Sequence, residues 1–230
     1  MSERQTGDPI ADPTYDLKTG RRPIERPIVD YPGYHVLDQQ ENWDEATRRV
    51  VLDRVYQVPP IRFFDQHELE TLQALADRIL PQTDRSESER IPIAPWIDHR
   101  CYHHIIDGWR FDNMPPDHDA WRLGLHGIDE VSSRRYDRQF VALGPVEQDK
   151  VVRTIADGQP PGDTWQRLPA RRFWVYIVLR QIVSVYYAHP TAWDEIGFGG
   201  PAYPRGYFAL SHGYPEPWEV REVRPNETTD

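Results

Sequence analysis

The stretch "DHRCYHHIID" places His99 and His103 four residues apart, with Asp107 four further on, so that on a helix all three would share one face. Imidazole and carboxylate are the ligand types that zinc and iron take, and this spacing makes a metal site one reading of the segment. No glutamate lies between the histidines as in H-E-x-x-H, and surface or capping roles are the competing reading. His104 falls nearer the apolar side, where a histidine is hydrogen-bonded within the core. Cys101, the single cysteine, sits on that apolar stripe as a small hydrophobe and excludes an intramolecular disulfide.

A second stretch, "EIGFGGPAYPRGY", packs four glycines, two prolines, three aromatics and one arginine into thirteen residues. A phosphate cradle needs converging backbone N–H groups between a strand and a helix, as in G-x-G-x-x-G or the Walker pattern. This segment follows a helix and a polar "HPTAWDE" connection, has no Gly-Lys-Ser/Thr, and loses two donors to Pro201 and Pro204. Either it is a structural loop that turns on Gly197, Gly199, Gly200 and Gly206 with Pro201 for stiffness, or it presents residues to a partner. The presented residues would be Trp193, Phe198, Tyr203, Arg205 and Tyr207, types enriched at interface hot spots. No serine stands in a nucleophile-elbow context, and acidic pairs such as Asp129-Glu130 are expected by chance among 37 Asp and Glu. The residues alone nominate no catalytic centre.

The formal net charge of −10, without any block of Lys and Arg, argues against nucleic acid. Eight Trp, twelve Tyr and 22 Pro describe large aromatic anchors on much irregular backbone, a composition suited to an interface. Residues 1–30 contain no apolar run of the length a signal peptide needs, and the run after Arg171-Arg172 is interrupted by Arg180 and Gln181, far short of the roughly 20 residues of a membrane span.

The elements that would carry these residues are helical. Residues 1–41, with five prolines between Pro9 and Pro32, read as an extended arm. Asn42 reads as the cap of a short helix with Glu45 as capping-box partner and a stripe of Trp43, Ala46, Val50, Val51 and Val55. Asp65 and Glu68 sign the start of a second, with Leu69, Leu72, Leu75, Ala76 and Ile79 inward and Pro81 as terminator. A third opens at Pro95, carries Ile97, Cys101 and Ile105 on one face and stops at Gly108. Further helices are expected over Asp119–Ser133, despite Gly124 and Gly127, and from Pro145 to Gly158. "LPARRFWVYIVLRQIVSVYY" is apolar nearly all round, the pattern of a central helix enclosed by neighbours. No hairpin pattern occurs, so the expected fold is all-α, about six helices around this central one, with a helical domain over residues 42–214 and a polar tail over 215–230.

"FFDQHELETLQALADRILPQ" together with "YYAHPTAWDEIGFGGPAYPRGY" resembles the gluconate 2-dehydrogenase subunit 3 family, over roughly residues 60 to 210. The closing segment is its most specific part, with Tyr-Tyr and His-Pro ahead of Trp193 and the glycines, Pro201, Arg205 and Tyr207 after it. The middle, from about Arg100 to Asp163, matches in helical character only. The resemblance implies a small, cofactor-free subunit of a bacterial flavin-dependent dehydrogenase of sugars or polyols. FAD would reside in a large glucose-methanol-choline type partner, and a cytochrome c subunit would take the electrons. Many such small subunits begin with a twin-arginine signal, whereas this chain begins with a polar arm; the expected location is cytoplasmic, or periplasmic if the complex travels on its partner's signal. The readings from other classes are a metal-dependent enzyme built on His99, His103 and Asp107, and a free-standing helical ligand-binding protein.

Overall fold

The computed structural model describes residues 31, 33–206, 216 and 218–220. Among them there is no strand, and nine α-helical segments make the fold all-α. Most of the expected arm, Tyr207 and most of the expected tail lie outside the described residues.

Helix α1 (Glu45–Tyr56) starts two residues later than expected, because Asp44 rather than Asn42 caps it, its carboxylate accepting from the Thr47 N–H at 3.0 Å. Asn42 instead ends a 3-10 helix, Val36–Asn42. Helix α2 (Gln66–Ile79) forms as its capping signature requires: Asp65 accepts from the Glu68 N–H at 2.8 Å and Glu68 accepts from the Asp65 N–H at 3.0 Å. Leu72, Leu75 and Ala76 are fully buried on its inner face.

Helix α3 (Ile93–Tyr102) departs from the expectation. It ends at Tyr102 rather than at Gly108, because His104 adopts a left-handed φ of 53° and closes a Schellman motif. The His104 N–H donates to the Cys101 carbonyl at 3.2 Å and the Ile105 N–H to that of Arg100 at 2.9 Å. Ile105 therefore leaves the helix and faces solvent. A histidine in this conformation costs stability relative to glycine. His104→Gly is expected to raise unfolding stability by about 1 kcal/mol in a denaturant melt; an unchanged or lower value would show that the ring contact of His104 with His118, centroids 4.2 Å apart, outweighs the backbone strain.

Helix α4 (Asp117–Tyr136) is the long central strut, and α5 (Pro145–Ala156) and the short α6 (Thr164–Arg167) pack on it. Glu130 of α4 staples the turn before α6: burial works against its charge, but the N–H groups of Asp163 and Thr164, the Thr164 hydroxyl and Arg134 hold its carboxyl down at about 2. Gly124 and Gly127 let two aromatics in, Phe173 against Gly124 and Trp165 against Gly127, so the helix-weakening residues are contact points rather than breaks.

The remaining rod is continuous from α7 (Ala170–Arg172) through a π-helical stretch, Phe173–Leu179, into α8 (Arg180–Tyr187). Its inner side is the heart of the core: Phe173, Val178 and Ile182 are fully buried, and the buried Trp121 Nε1 donates to Gln181 Oε1 at 2.8 Å. The expected burial all round does not occur. Val175, Tyr176, Val183 and Tyr187 are 36–42% exposed, since no described element packs on that side. The "HPTAWDE" segment, read from sequence as a polar connection, is helix α9 (Pro190–Ile196): His189 caps it, its Nδ1 accepting from the Thr191 N–H at 3.3 Å, Pro190 holds the first position, and Gly197 ends it at a φ of 65°.

Two apolar clusters result. The main core joins α2 to α8, while a smaller one, Val36, Trp43, Val51 and Trp193, ties the 3-10 helix and α1 to α9. The Val36 N–H donates to Asp194 Oδ1 at 2.7 Å across that seam.

Candidate functional site

The bare side of the 170–187 rod continues onto the turn that follows α3. Trp109, Phe111 and Tyr176 form an edge-to-face cluster with centroids 4.8–5.7 Å apart. Arg172 lies 4.3 Å from the Phe111 ring and Arg180 5.4 Å from that of Trp109. Tyr102, Ile105 and Ile106 extend the exposed apolar surface on the other side of the turn. Aromatic rings clasped by arginines thus stand exposed beside a helix whose composition is that of a buried one.

Beside this face, between α3, α8 and α1, lies a cavity of about 310 Å³. Trp96, Ile105 and Val185 give it apolar walls, and Arg54, Arg100 and Arg180 give it charge. Its two histidines are pushed toward the neutral form, His99 by burial and then by His103 and Arg62, and His189 by burial and then by Arg85 and Arg54, the latter down to about 4.

The residues singled out from sequence divide between these places. His99 and His103 do come together, ring centroids 4.4 Å apart and planes tilted by 56°, but Asp107 lies beyond the end of α3 and is held by two arginines, Arg100 Nη2 at 3.0 Å and Arg180 Nε at 3.1 Å. Among the described residues no group of three or more His, Cys, Asp and Glu is placed to hold a metal ion. Cys101 is buried on α3, where burial and then Asp98 push its thiol up to about 12. In the glycine-rich segment, Trp193 is buried in the smaller cluster, its Nε1 donating to the Tyr187 carbonyl at 2.6 Å. Arg205 folds back, donating to Gln39 Oε1 at 3.2 Å and stacking 4.4 Å from the Trp218 ring. Phe198 and Tyr203 face solvent, at 40% and 67% exposure. Gly200, with a φ of 76°, lies against Val36 and Trp43 where any Cβ would crowd them.

The family model for gluconate 2-dehydrogenase subunit 3 matches residues 66–200, more than half of the chain. The chain belongs to the gluconate 2-dehydrogenase subunit 3 family. No curated protein and no solved structure matches it. The match to this subunit 3 family begins at the first residue of α2 and ends at Gly200, so it spans the main core, the bare rod and α9, and it identifies a subunit of a dehydrogenase complex. Among the described residues no helix is long and apolar enough to cross a membrane.

Sequence reading singled out neither the arginines of the cavity nor the cluster of Trp109, Phe111 and Tyr176. Arg54, Arg100 and Arg180 lie far apart in the sequence and share no motif, and only the packing of α1, α3 and α8 brings them together. The aromatic face was hidden as well: a helix apolar on all sides is expected to be enclosed by its neighbours, whereas the outer side of this one stays exposed.

Proposed function

We propose that the chain is the non-catalytic accessory subunit of an FAD-dependent dehydrogenase of the glucose-methanol-choline type that oxidises sugars, sugar acids or polyols, and that it binds and stabilises the flavoprotein through the exposed face of the 170–187 rod. The observation that carries this reading is that face itself: Val175, Tyr176, Val183 and Tyr187 stand bare on a helix whose composition calls for cover. Trp109 beside them supplies the residue type that most often anchors interfaces, and Arg172 and Arg180 supply the other. Phe198 and Tyr203 extend the contact surface beyond α9, held in place by the buried Trp193 and the folded-back Arg205; Tyr207 is assigned to the same contact from the sequence alone. In this reading FAD belongs to the partner. A cytochrome c subunit completes the electron path.

The reading is tested by titrating the purified chain against its flavoprotein. Val175→Glu combined with Val183→Glu should weaken association by about 2 kcal/mol or more, the scale of interface hot spots. Thermal melting of the isolated variant should move little, because the substituted side chains are exposed. Undiminished affinity of the double variant would place the interface elsewhere.

A further inference from the structure

The cavity beside the aromatic face carries a charge imbalance that the fold does not resolve. Three guanidinium groups line it, from Arg54, Arg100 and Arg180, against the single carboxylate of Asp107. Asp117, the next acid, lies behind Gln181, whose Nε2 it holds at 2.9 Å. The surplus stands out on a chain whose overall charge is −10. Both Asp107 oxygens are already engaged, one by Arg100 and one by Arg180, yet Arg100 Nε remains buried with no hydrogen-bond partner. An unpaired donor on a partly buried cation is costly unless something accepts from it.

The cations stand at two ends. Arg180 begins the eight-residue α8 and Arg54 donates to the carbonyl of Ala188 just past its end, at 3.0 Å. The intervening rise is about 12 Å, which the reach of two long side chains shortens to the span of a small molecule. Between them the wall is Trp96 and Val185, with His99, edge-on to the Trp96 ring, and Ser184 alongside. The volume is near the lower end of the roughly 300–1,000 Å³ of small-molecule sites. Arg54 at one end, and Arg100 with Arg180 sharing the one carboxylate of Asp107 at the other, leave a surplus of positive charge among the lining residues at each end of a short, partly apolar slot, which calls for an anion with a charge at each end.

We propose that this cavity is a binding site for a small linear dicarboxylate, one carboxylate taken by Arg54 and the other by Arg100 and Arg180. The bidentate fork of arginine suits a carboxylate, and Arg100 Nε gains its missing acceptor. The middle of the ligand lies along Trp96 and Val185, and any hydroxyl on it meets Ser184 and the neutral ring of His99. The proposal does not depend on the accessory-subunit reading, since the isolated chain contains the whole site.

Calorimetric titration of the purified chain at low salt tests it with three probes: glutarate, its monoanionic counterpart valerate, and inorganic phosphate. Glutarate should bind about tenfold or more tightly than either of the others, and Arg54→Gln and Arg180→Gln should each weaken it by about tenfold or more, while circular dichroism stays that of the parent. No heat with glutarate overturns the proposal. Equal affinity for valerate or phosphate also overturns it, because the site would then recognise a single charge. If Arg180→Gln does not fold, Arg54→Gln alone decides, and glutarate binding unchanged in that variant refutes the two-ended site. Binding in a pull-down with the flavoprotein is a separate measurement, and Arg54→Gln, which lies outside the aromatic face, keeps the two properties distinguishable.

Discussion

Replacing Asp98 with Ala is expected to destabilise the chain by about 4 kcal/mol, the range for leaving the partners of a buried charge unsatisfied, and to lower its melting temperature by roughly 10 °C. Asp98 sits fully buried on α3, and its carboxylate accepts three backbone N–H groups, those of Arg62, Phe63 and Phe64, each at 2.9 Å. Those three residues form the chain's approach to α2, where no helical carbonyl is available to them. The aspartate thus acts as a cap on a segment far away in sequence, fixing Phe63 and Phe64 against the core and setting where α2 begins. Asp98→Asn should fall between parent and Ala, since one oxygen remains to accept but the amide nitrogen faces a donor. A loss under about 1 kcal/mol for Ala would mean that water or a shift of the segment replaces the carboxylate.

The second large effect is steric. Gly124 on α4 faces the ring of Phe173, and a Cβ built there would lie within the ring's own volume. Both residues are fully or almost fully buried, with Trp121 edge-on to the same ring at 5.8 Å, so Phe173 has nowhere to retreat. Gly124→Leu should cost about 3 kcal/mol or more, and Gly124→Ala about 2 kcal/mol after the roughly 1 kcal/mol that alanine gains in a helix. Combining Gly124→Ala with Phe173→Leu makes the assignment specific: the double variant should be more stable than the sum of the two single losses predicts, by about 1 kcal/mol. Simple additivity would mean that α4 and the π-helical stretch part easily.

Both positions show what a linear reading could and could not hold. Capping signals that act within four residues were legible: Asp65 with Glu68 and Pro145 fixed the starts of α2 and α5 where the structure has them. Asp98 was not singled out: it shares the inward side of α3 with Ala94, Ile97 and Cys101, and its donors come from a chain segment more than thirty residues earlier, out of reach of a linear reading. Gly124 and Gly127 look like weak points in a helix until Phe173 and Trp165 are brought against them. The end of α3 at His104 was hidden because left-handed backbone is usually announced by glycine, and the nearest glycine, Gly108, lies four residues further on. Of the candidate sites, the family's closing segment stood out by composition. The aromatic face and the cavity arise only when α1, α3 and the rod come together.

The division of the apolar interior into two clusters has a bearing on how the native state fluctuates. Val36, Trp43, Val51 and Trp193 are few beside the main core, so α1 and the 3-10 helix are expected to open as a unit of their own at less cost in free energy than the core helices. The cavity straddles the boundary between the units, since Arg54 rides on α1 while Arg100 and Arg180 are rooted on the core helices α3 and α8. Hydrogen exchange would register the labile unit opening ahead of global unfolding. A molecule held between Arg54 and Arg180 acts as a rivet across that seam, slowing the detachment of α1 without touching the core.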